Sequence, residues 1–323
     1  MRIYKNLLLF FLAFIPACIS SLRNDPESTA NNAHDKSLDA PFPSAIFERP
    51  PYIAFFKVNS SSDAFTIIGL HSKPDKAIEE ASWLDEVYEY ISETYKSENV
   101  AIMGDLNLDC KYASQKKISD LGIKKDKNFD WKIKDDADTS VAKSKCAYDR
   151  IITRGKLFSD AKGKVHSDKI KKSDHLPISM KVKDLTLGAY NLQVFGKKKS
   201  SDEGAKNEIA GIACDFDVLL LQEIVSSELE PINTLLEAIK SQCGSQYEIS
   251  LSEERGSTSY KERYAYLYNS NSVTLNQAFL FEENLTATIG ACGINPYLTP
   301  KKYCYATNQD GFKVRVKYSC CQE

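Results

Sequence analysis

The sequence predicts an α/β fold in which sheets are covered by helices. Short apolar runs of strand length alternate with longer segments of helical periodicity, and this alternation occurs twice along the chain. An order of this kind favours sheets packed against helices. With 323 residues, 42% of them hydrophobic and 27% charged, the chain has the composition of an ordinary globular protein with a substantial core.

The first copy of the alternation contains two predicted strands and one predicted helix. Residues 65–70 form an apolar run that stops at His71, and residues 100–103 form another that stops just before Asp105. Residues 77–95 have apolar side chains at helical spacing, which predicts an amphipathic helix.

The second copy has the same layout. Its strand-like runs are 185–190, 218–221 and 264–268, and its helical segments are 204–214 and 227–243. Gly244 is well placed to cap the last helix. The first two of these strands end at Asn191 and at Glu223, as those of the first copy end at His71 and Asp105. Four polar strand ends of this type predict a functional site at one edge of the sheets.

The histidines suggest what that site does. The chain has four, of which His34 and His166 lie in polar or lysine-rich stretches and are expected to be surface residues. His71 and His175 lie in motif-like contexts instead, and histidine suits the two proton transfers of phosphodiester hydrolysis. Neighbouring carboxylates and an Asn amide suit a hard divalent cation such as magnesium.

The N-terminal segment has the pattern of a secretory signal. Arg2 and Lys5 precede an apolar run over residues 7–15, so residues 1–18 are predicted to be a signal peptide and 19–44 a flexible leader. An alternative is that Cys18 is lipidated in a lipoprotein. The net charge of −2 means that a nucleic acid would have to be bound by a local basic surface.

The cysteines favour an oxidising compartment. Nine are present, and an even set of eight remains once Cys18 is set aside. Their spacing does not match a zinc site, which favours disulfides. Cys214 and Cys243 close successive predicted helices and can pair with each other.

Residues 283–323 are predicted to form a separate, cysteine-rich β tail. Residues 312–318 alternate strictly between apolar and basic side chains, as in a strand. Cys292, Cys304, Cys320 and Cys321 allow three disulfide connectivities. The tail can be an attachment surface or a cover for a sheet edge, and the sequence leaves both open.

Short motifs resemble signatures of the endonuclease/exonuclease/phosphatase superfamily, namely Gly104-Asp105-Leu106-Asn107, Ser173-Asp174-His175, Asn191 and Gln222-Glu223. Longer strings resemble the deoxyribonuclease I family within it: Cys146-Ala147-Tyr148-Asp149-Arg150-Ile151, Asn191 to Gly196 and Ser259-Tyr260-Lys261-Glu262-Arg263-Tyr264. The resemblance covers residues 45–282 and implies a four-layered αββα sandwich as the catalytic domain. Block 45–182 precedes block 185–282, the reverse of the family order, which predicts a circular permutation with its junction near Lys183 and Asp184.

The resemblance also implies roles for individual residues. His71 would pair with Glu262, and His175 with Asp149, as two acid/base dyads. The metal and the scissile phosphate would be bound by Asn191, Glu223, Asp105, Asn107 and Asp174. The remaining implied sites are a Cys110–Cys146 disulfide, a structural calcium site at Asp138 and Ser140, and substrate contacts at Arg49 and Tyr260. A simple polar turn is the alternative at Asp138.

The surface that would grip DNA departs from the family pattern. Arginines that the family uses are replaced by Gln193, Val225 and Ser257, although Arg255 can compensate for Ser257. Lysines within 162–172 can supply backbone contacts instead, or simply form a solvated loop.

The function implied is a secreted or cell-surface endonuclease that hydrolyses DNA with magnesium or manganese, with calcium as a structural ion. No protein partner is predicted, but the tail or a lipidated Cys18 can attach the protein to a surface. The alternatives are a toxin-like nuclease, a phosphodiesterase acting on lipid headgroups, and a non-catalytic secreted binding protein.

Overall fold

The computed structural model describes residues 46–167 and 172–281, together with the backbone of two strands nearer the C-terminus. The predicted signal peptide, the leader with His34, and the side chains of the tail cysteines lie outside the described residues. The predicted domain boundaries therefore stay predictions. Within the described part of the chain, no helix combines the length and apolar character needed to cross a bilayer.

Twelve strands form the body of the protein. They are β1 (Tyr52–Val58), β2 (Ala64–Gly69), β3 (Val100–Asp105), β4 (Asp130–Trp131), β5 (Asp149–Arg154), β6 (Lys162–Val165), β7 (Ile178–Val182), β8 (Leu185–Phe195), β9 (Val218–Ile224), β10 (Tyr247–Leu251), β11 (Arg263–Asn269) and β12 (Val273–Leu280). The helices are α1 (Ala77–Ala81), α2 (Leu84–Tyr95), α3 (Gln115–Ser119), α4 (Gly122–Lys125), α5 (Lys197–Ser200), α6 (Glu203–Ala213) and α7 (Glu230–Cys243). Two short 3-10 turns lie at Pro74–Lys76 and Lys156–Phe158.

The strands form two six-stranded mixed sheets with the same pattern of pairing. The first has the order β12-β1-β2-β3-β5-β4, and the second has the order β10-β11-β9-β8-β7-β6. Each contains one parallel pair, β2–β3 or β8–β9, while its other pairs are antiparallel. Each of the two similar halves predicted from the sequence supplies most strands of one sheet, but β6 and β7 of the first half join the second sheet and β12 of the second half joins the first.

The two sheets pack face to face over a shared apolar core. Phe56 and Met103 of the first sheet lie in one buried cluster with Met180, Leu220 and Tyr266 of the second. A β-strand sends successive side chains to opposite faces, so the residues between these positions face outwards. The outward residues are buried too, because helices cover both outer faces.

Each outer face has a core of its own. Ile68 and Ile102 of the first sheet pack with Leu84 of α2, whereas Leu219 of the second packs with Leu235 of α7. Burial on both faces explains why the strand sequences are continuous apolar runs and do not alternate with polar residues. The arrangement is the predicted four-layered αββα sandwich.

Two helices have bounds that differ from those predicted from the sequence. The helix expected over 77–95 is interrupted at Ser82 and Trp83, where the Ser82 amide bonds both the Ile78 and Glu79 carbonyls in a tightened turn. The helix expected from residue 227 begins at Glu230, because Pro231 has the fixed φ that suits a first helical turn.

The lysine-rich stretch before His175 also differs from expectation. It was expected to form a loop, but Lys162–Val165 is an edge strand that pairs with β7. His166 was expected on the surface, but it is only 7% exposed. Its Nε2 lies 2.8 Å from Ser179 Oγ and its ring contacts Phe216, because the pairing of β6 places it beneath the sheet.

The circular permutation stays a prediction. It requires two pairs of chain positions to lie close together, and both pairs do. Residues 183 and 184 form the tight turn of the β7–β8 hairpin, in which Val182 pairs with Leu185. At the other end, β12 and β1 are antiparallel neighbours, with Leu280 opposite Tyr52.

Two disulfides link the described residues. Cys110–Cys146 joins the loop after β3 to the loop before β5, and Cys214–Cys243 joins the ends of α6 and α7. Both are the pairs that the sequence suggested. Further along, Tyr303–Thr307 pairs with Lys313–Lys317 as a two-stranded antiparallel sheet, in agreement with the predicted strand over 312–318.

Removal of the first disulfide is expected to destabilise the fold. Replacing Cys110 and Cys146 by serine releases a link across 36 positions, and should lower the free energy of unfolding by about 3 kcal/mol through the entropy of the unfolded chain. Urea denaturation of the oxidised protein and the double variant measures this difference. Equal midpoints and slopes would contradict the prediction.

Candidate active site

Polar residues from both sheets meet at one edge of the sandwich. His71 follows β2, Asp105 ends β3, and Glu262 immediately precedes β11. Asn191 and Glu223 lie within the parallel pair β8–β9 of the other sheet. Parallel neighbours end at the same edge of a sheet, and the face-to-face packing brings the two edges together.

His71 forms a buried pair with Glu262. Its Nδ1 lies 2.7 Å from Glu262 Oε2, and Glu262 Oε1 accepts a 3.1 Å bond from Arg49 Nη1. Arg49 also donates from Nε to the His71 carbonyl, while the His71 amide donates to the Tyr264 hydroxyl. These contacts fix the ring so that Nε2 faces the centre of the site.

His175 forms a matching pair with Asp149. Its Nδ1 lies 2.8 Å from Asp149 Oδ2. The His175 amide donates to Ser173 Oγ, which in turn donates to the Asn191 carbonyl, so this loop is tied to β8. Here too the bond at Nδ1 leaves Nε2 directed at the centre.

Asp105 lies between the two dyads. Its Oδ2 is 3.5 Å from Nε2 of His71 and 3.5 Å from Nε2 of His175. The Asp105 amide donates to Gln222 Oε1 of the other sheet, which fixes its backbone. Gly104 at φ 130° precedes it, and a Cβ there would lie 2.4 Å from the Leu70 carbonyl, so the approach requires glycine.

Asn191 joins the carboxylates of Asp105 and Glu223. Its Nδ2 donates to Asp105 Oδ2 at 3.1 Å and to Glu223 Oε1 at 2.8 Å. The backbone around it has unusual dihedral angles, with φ of 49° at Gln193, 57° at Val194 and 58° at Glu223. Left-handed dihedrals at such residues are costly, and they often occur at functional sites.

The neighbouring carboxylates favour the protonated form of both histidines. Burial lowers the pKa of His71, as does Arg49, but Glu262 and Asp105 outweigh them and the net shift is upwards. Burial also lowers the pKa of His175, but Asp149 and Asp105 raise it to about 11. Burial raises the pKa of Glu262, yet His71 and Arg49 lower it overall.

The donor set around Asn191 fits a hard divalent cation. Asp105 and Glu223 are two like-charged groups bound to the same amide, an arrangement that a cation would relieve. All of their donor atoms are oxygens, as magnesium and calcium prefer. A second possible cluster, Asp105 with Asp149 and His175, has donor atoms within 4.8 Å of one another. Because Nδ1 of His175 is already bonded to Asp149, that cluster fits an acid/base dyad better than a ligand set.

Asn107 and Asp174 are less central. Asn107 is buried, with its side chain donating to the Ser72 carbonyl and its amide to Asp105 Oδ1. The Asp174 side chain is 57% exposed, and its Oδ1 lies 3.9 Å from His175 Nε2. Both positions stay predictions as ligands.

The two predicted substrate contacts lie in different environments. Tyr260 is 46% exposed beside the site, as a substrate contact requires. Arg49 is only 7% exposed and its guanidinium binds Glu262, and its role as a substrate contact stays a prediction. The position held by Arg49 is one that orients the His71 dyad.

The Asp138 region has the contacts of a polar turn. Asp138 Oδ1 accepts bonds from the amides of Ser140 and Cys146 and from Ser140 Oγ. Ser140 Oγ also bonds the Ser144 carbonyl. A calcium ion at Asp138 and Ser140 stays a prediction.

Sequence reasoning assigned no individual role to three buried polar residues behind the site. Gln222 accepts from the Asp105 amide, Tyr264 accepts from the His71 amide, and Glu80 accepts from two other backbone amides. Glu80 had a signal in the sequence, because it lies three and four positions from the apolar residues Ala77 and Leu84. A carboxylate on the buried face of a helix is rare without a specific role.

Comparisons with known proteins agree with the motifs. No family model matches the chain. Deoxyribonuclease gamma of Rattus norvegicus is 31% identical over 175 residues, 48% of this chain and 56% of the relative. Deoxyribonuclease-1 of Bos taurus is 34% identical over 116 residues, 36% of this chain and 41% of the relative. The chain thus spans about half the length of the curated relatives it matches.

Solved structures give more distant matches. An endonuclease/exonuclease/phosphatase family protein from Bacteroides thetaiotaomicron has 9% identity and a TM-score of 0.36, covering 67% of this chain and 83% of its own. TDP2 of D. rerio, complexed with a single-strand DNA product, has 8% identity and a TM-score of 0.35, covering 63% and 83%. Over the part of the chain that the curated relatives match, the resemblance to the deoxyribonuclease I family is confirmed, and those relatives are deoxyribonucleases.

Proposed function

We propose that this protein is a metal-dependent endonuclease that hydrolyses the phosphodiester bonds of DNA. The observation that carries the proposal is the arrangement of two histidine–carboxylate dyads on either side of Asp105, with both Nε2 atoms 3.5 Å from Asp105 Oδ2. Hydrolysis needs one group to accept a proton from water and another to donate one to the leaving oxygen. Two imidazoles aimed at one point from opposite sides meet that need.

Each dyad prepares its histidine for proton transfer. Glu262 and Asp149 bind the Nδ1 atoms and stabilise the imidazolium form, so exchange of a proton with the substrate occurs at Nε2. One histidine takes a proton from water as the water oxygen bonds to phosphorus, while the other donates a proton to the 3′-oxygen as its bond to phosphorus breaks. The products are a 5′-phosphate and a 3′-hydroxyl, and both histidines are reset by proton exchange with solvent.

Asn191, Glu223 and Asp105 would hold a magnesium or manganese ion, with Asn107 and Asp174 nearby. When bound, the ion would neutralise charge on the carboxylates and phosphoryl oxygens, and this would favour the neutral form of the imidazole that accepts a proton from water. Calcium at Asp138 and Ser140 would act structurally by fixing the loop that Cys146 closes.

Secretion is part of the proposal. Two disulfides within the described residues suit an oxidising compartment, and the N-terminal sequence has the pattern of a signal peptide. Attachment to a cell surface through the tail or a lipidated Cys18 is the alternative location.

Plasmid nicking tests the proposed function directly. The mature, oxidised protein should convert supercoiled plasmid to open circles in magnesium and calcium, and a chelator should abolish the reaction because the carboxylates then lack their cation. Gel electrophoresis with end-labelling reads both nicking and the 5′-phosphate. Cleavage that persists in the chelator would contradict metal dependence, and folded protein without any cleavage would contradict the nuclease.

One observation favours a second substrate class with the same chemistry. The rim of the site carries Gln193 and Val225 where the family has arginines, and Val194 is 50% exposed. A less charged rim suits a lipid-headgroup phosphodiester better than a DNA groove. Parallel assays on plasmid and on sphingomyelin vesicles separate the two, since the preferred substrate should be cleaved faster at equal phosphodiester concentration.

A further inference from the structure

Glu80 is a buried carboxylate that the proposed chemistry does not use. It is 0% exposed, on the inner face of α1 beside Ala77 and Ala81, which belong to the apolar core between the helices and the first sheet. Burial raises its pKa to about 7, and backbone hydrogen bonds from Glu48 and Lys73 lower it by less. A carboxylate placed in such a core costs stability, so packing alone does not account for it.

The two oxygens of Glu80 bind two different backbone segments. Oε1 accepts from the Glu48 amide at 3.0 Å, and Oε2 accepts from the Lys73 amide at 3.2 Å. Glu48 precedes β1, whereas Lys73 follows β2. Glu80 therefore holds together the two chain segments that leave the open end of the β1–β2 hairpin, where Tyr52 pairs with Gly69.

One of these segments carries Arg49, which supports the His71 dyad, and the other carries His71 itself. Arg49 is the residue after Glu48, and its guanidinium binds both Glu262 and the His71 carbonyl. His71 lies two residues before Lys73. The contacts thus form a closed ring that runs from Glu80 through Arg49 and Glu262 to His71 and back to Glu80.

We propose that Glu80 is a positioning residue for His71. By fixing the Glu48 and Lys73 amides, it sets the distance from the imidazole of His71 to Arg49 and to its partner Glu262. The proposal rests on the proposed function, because it concerns proton transfer at His71. A substitution far from the chemistry that displaces a catalytic group by about 1 Å can cost about 100-fold in rate.

Graded substitutions of Glu80 test the proposal. Glu80→Gln keeps the shape but offers a single acceptor oxygen, so one amide loses its partner, and Glu80→Ala frees both. We expect kcat for plasmid nicking to fall about tenfold in the first and up to about 100-fold in the second, with KM changed less than about twofold. Glu79→Ala is the matched control, since Glu79 is the exposed neighbour on the same helix and should leave both constants unchanged.

A double substitution separates positioning from general destabilisation. In a His71→Ala background, Glu80→Gln should cost less than about twofold, because the residue that it positions is gone. An equal loss in both backgrounds would overturn the proposal. Thermal unfolding by circular dichroism shows whether each variant is folded, and Glu80→Gln remains informative if Glu80→Ala is not.

Amide hydrogen exchange tests the same contact without activity. The Glu48 and Lys73 amides should both exchange faster in Glu80→Ala, one of them should do so in Glu80→Gln, and neither should in Glu79→Ala. The Nδ1 proton resonance of His71 should shift in both Glu80 variants. Unchanged protection and an unchanged resonance would contradict the proposal even in an active enzyme. If the wild-type protein cleaves nothing but the Glu80 variants show these changes, only the proposed function is contradicted.

Discussion

Replacing His175 by alanine is expected to lower the rate of plasmid nicking by about 10³-fold, since general acid–base catalysis typically contributes 10²- to 10⁴-fold. The imidazole has no substitute within the described residues, because the Asp149 carboxylate behind it is buried and bonded to its Nδ1. Single-turnover nicking, followed on gels, measures the loss without interference from product release.

The dyad should behave as a unit. Asp149→Asn should lose most of what His175→Ala loses, and the double variant should be little worse than His175→Ala alone, because the carboxylate acts through the ring. His166→Gln is the control: it removes another buried histidine, bonded to Ser179, from outside the dyads. That variant should lose some stability and keep its catalytic rate. Additive losses at His175 and Asp149 would show that the two residues act separately.

The gathering of strand-end residues could be predicted from the sequence because it follows from local rules. An apolar run that stops at His71 or Asp105 places the polar residue at a sheet edge, and two similar halves place their edges together once the sheets pack. The pairings of His71 with Glu262 and of His175 with Asp149 came from the resemblance, since each joins residues that are far apart in the chain.

What the sequence did not predict depends on packing across long separations. Arg49 was predicted only as a substrate contact, and its bond to Glu262, 213 positions away, exists only after both sheets have formed. His166 lies in a lysine-rich segment whose composition suggests exposure, but the pairing of β6 with β7 buries it. Composition reports an average environment, whereas burial is decided by the register of individual strands.

Asp105→Asn is expected to cause the second large loss, about 10³-fold in nicking rate, because it removes a charge that faces both imidazoles and the predicted cation. The asparagine has the same shape, so the fold should be retained. Asp174→Asn is the matched control, since its side chain is 57% exposed and approaches only His175, at 3.9 Å; we expect a loss of less than about tenfold there. Activity titrated with magnesium, beside calorimetric binding, separates weaker ion binding from slower chemistry.

The same pair of variants shows how Asp105 acts on the histidines. When a chelator has removed all cations, Asp105 raises the pKa of both His71 and His175. Asp174 is among the groups that raise the pKa of His175. Asp105→Asn should therefore lower both pKa values in an NMR titration, and Asp174→Asn should lower only that of His175. If Asp105→Asn lowers the pKa of one histidine and leaves the pKa of the other unchanged, the two dyads are not coupled through this carboxylate. If both fall together, the central negative charge is what keeps the two imidazoles protonated until a cation neutralises it.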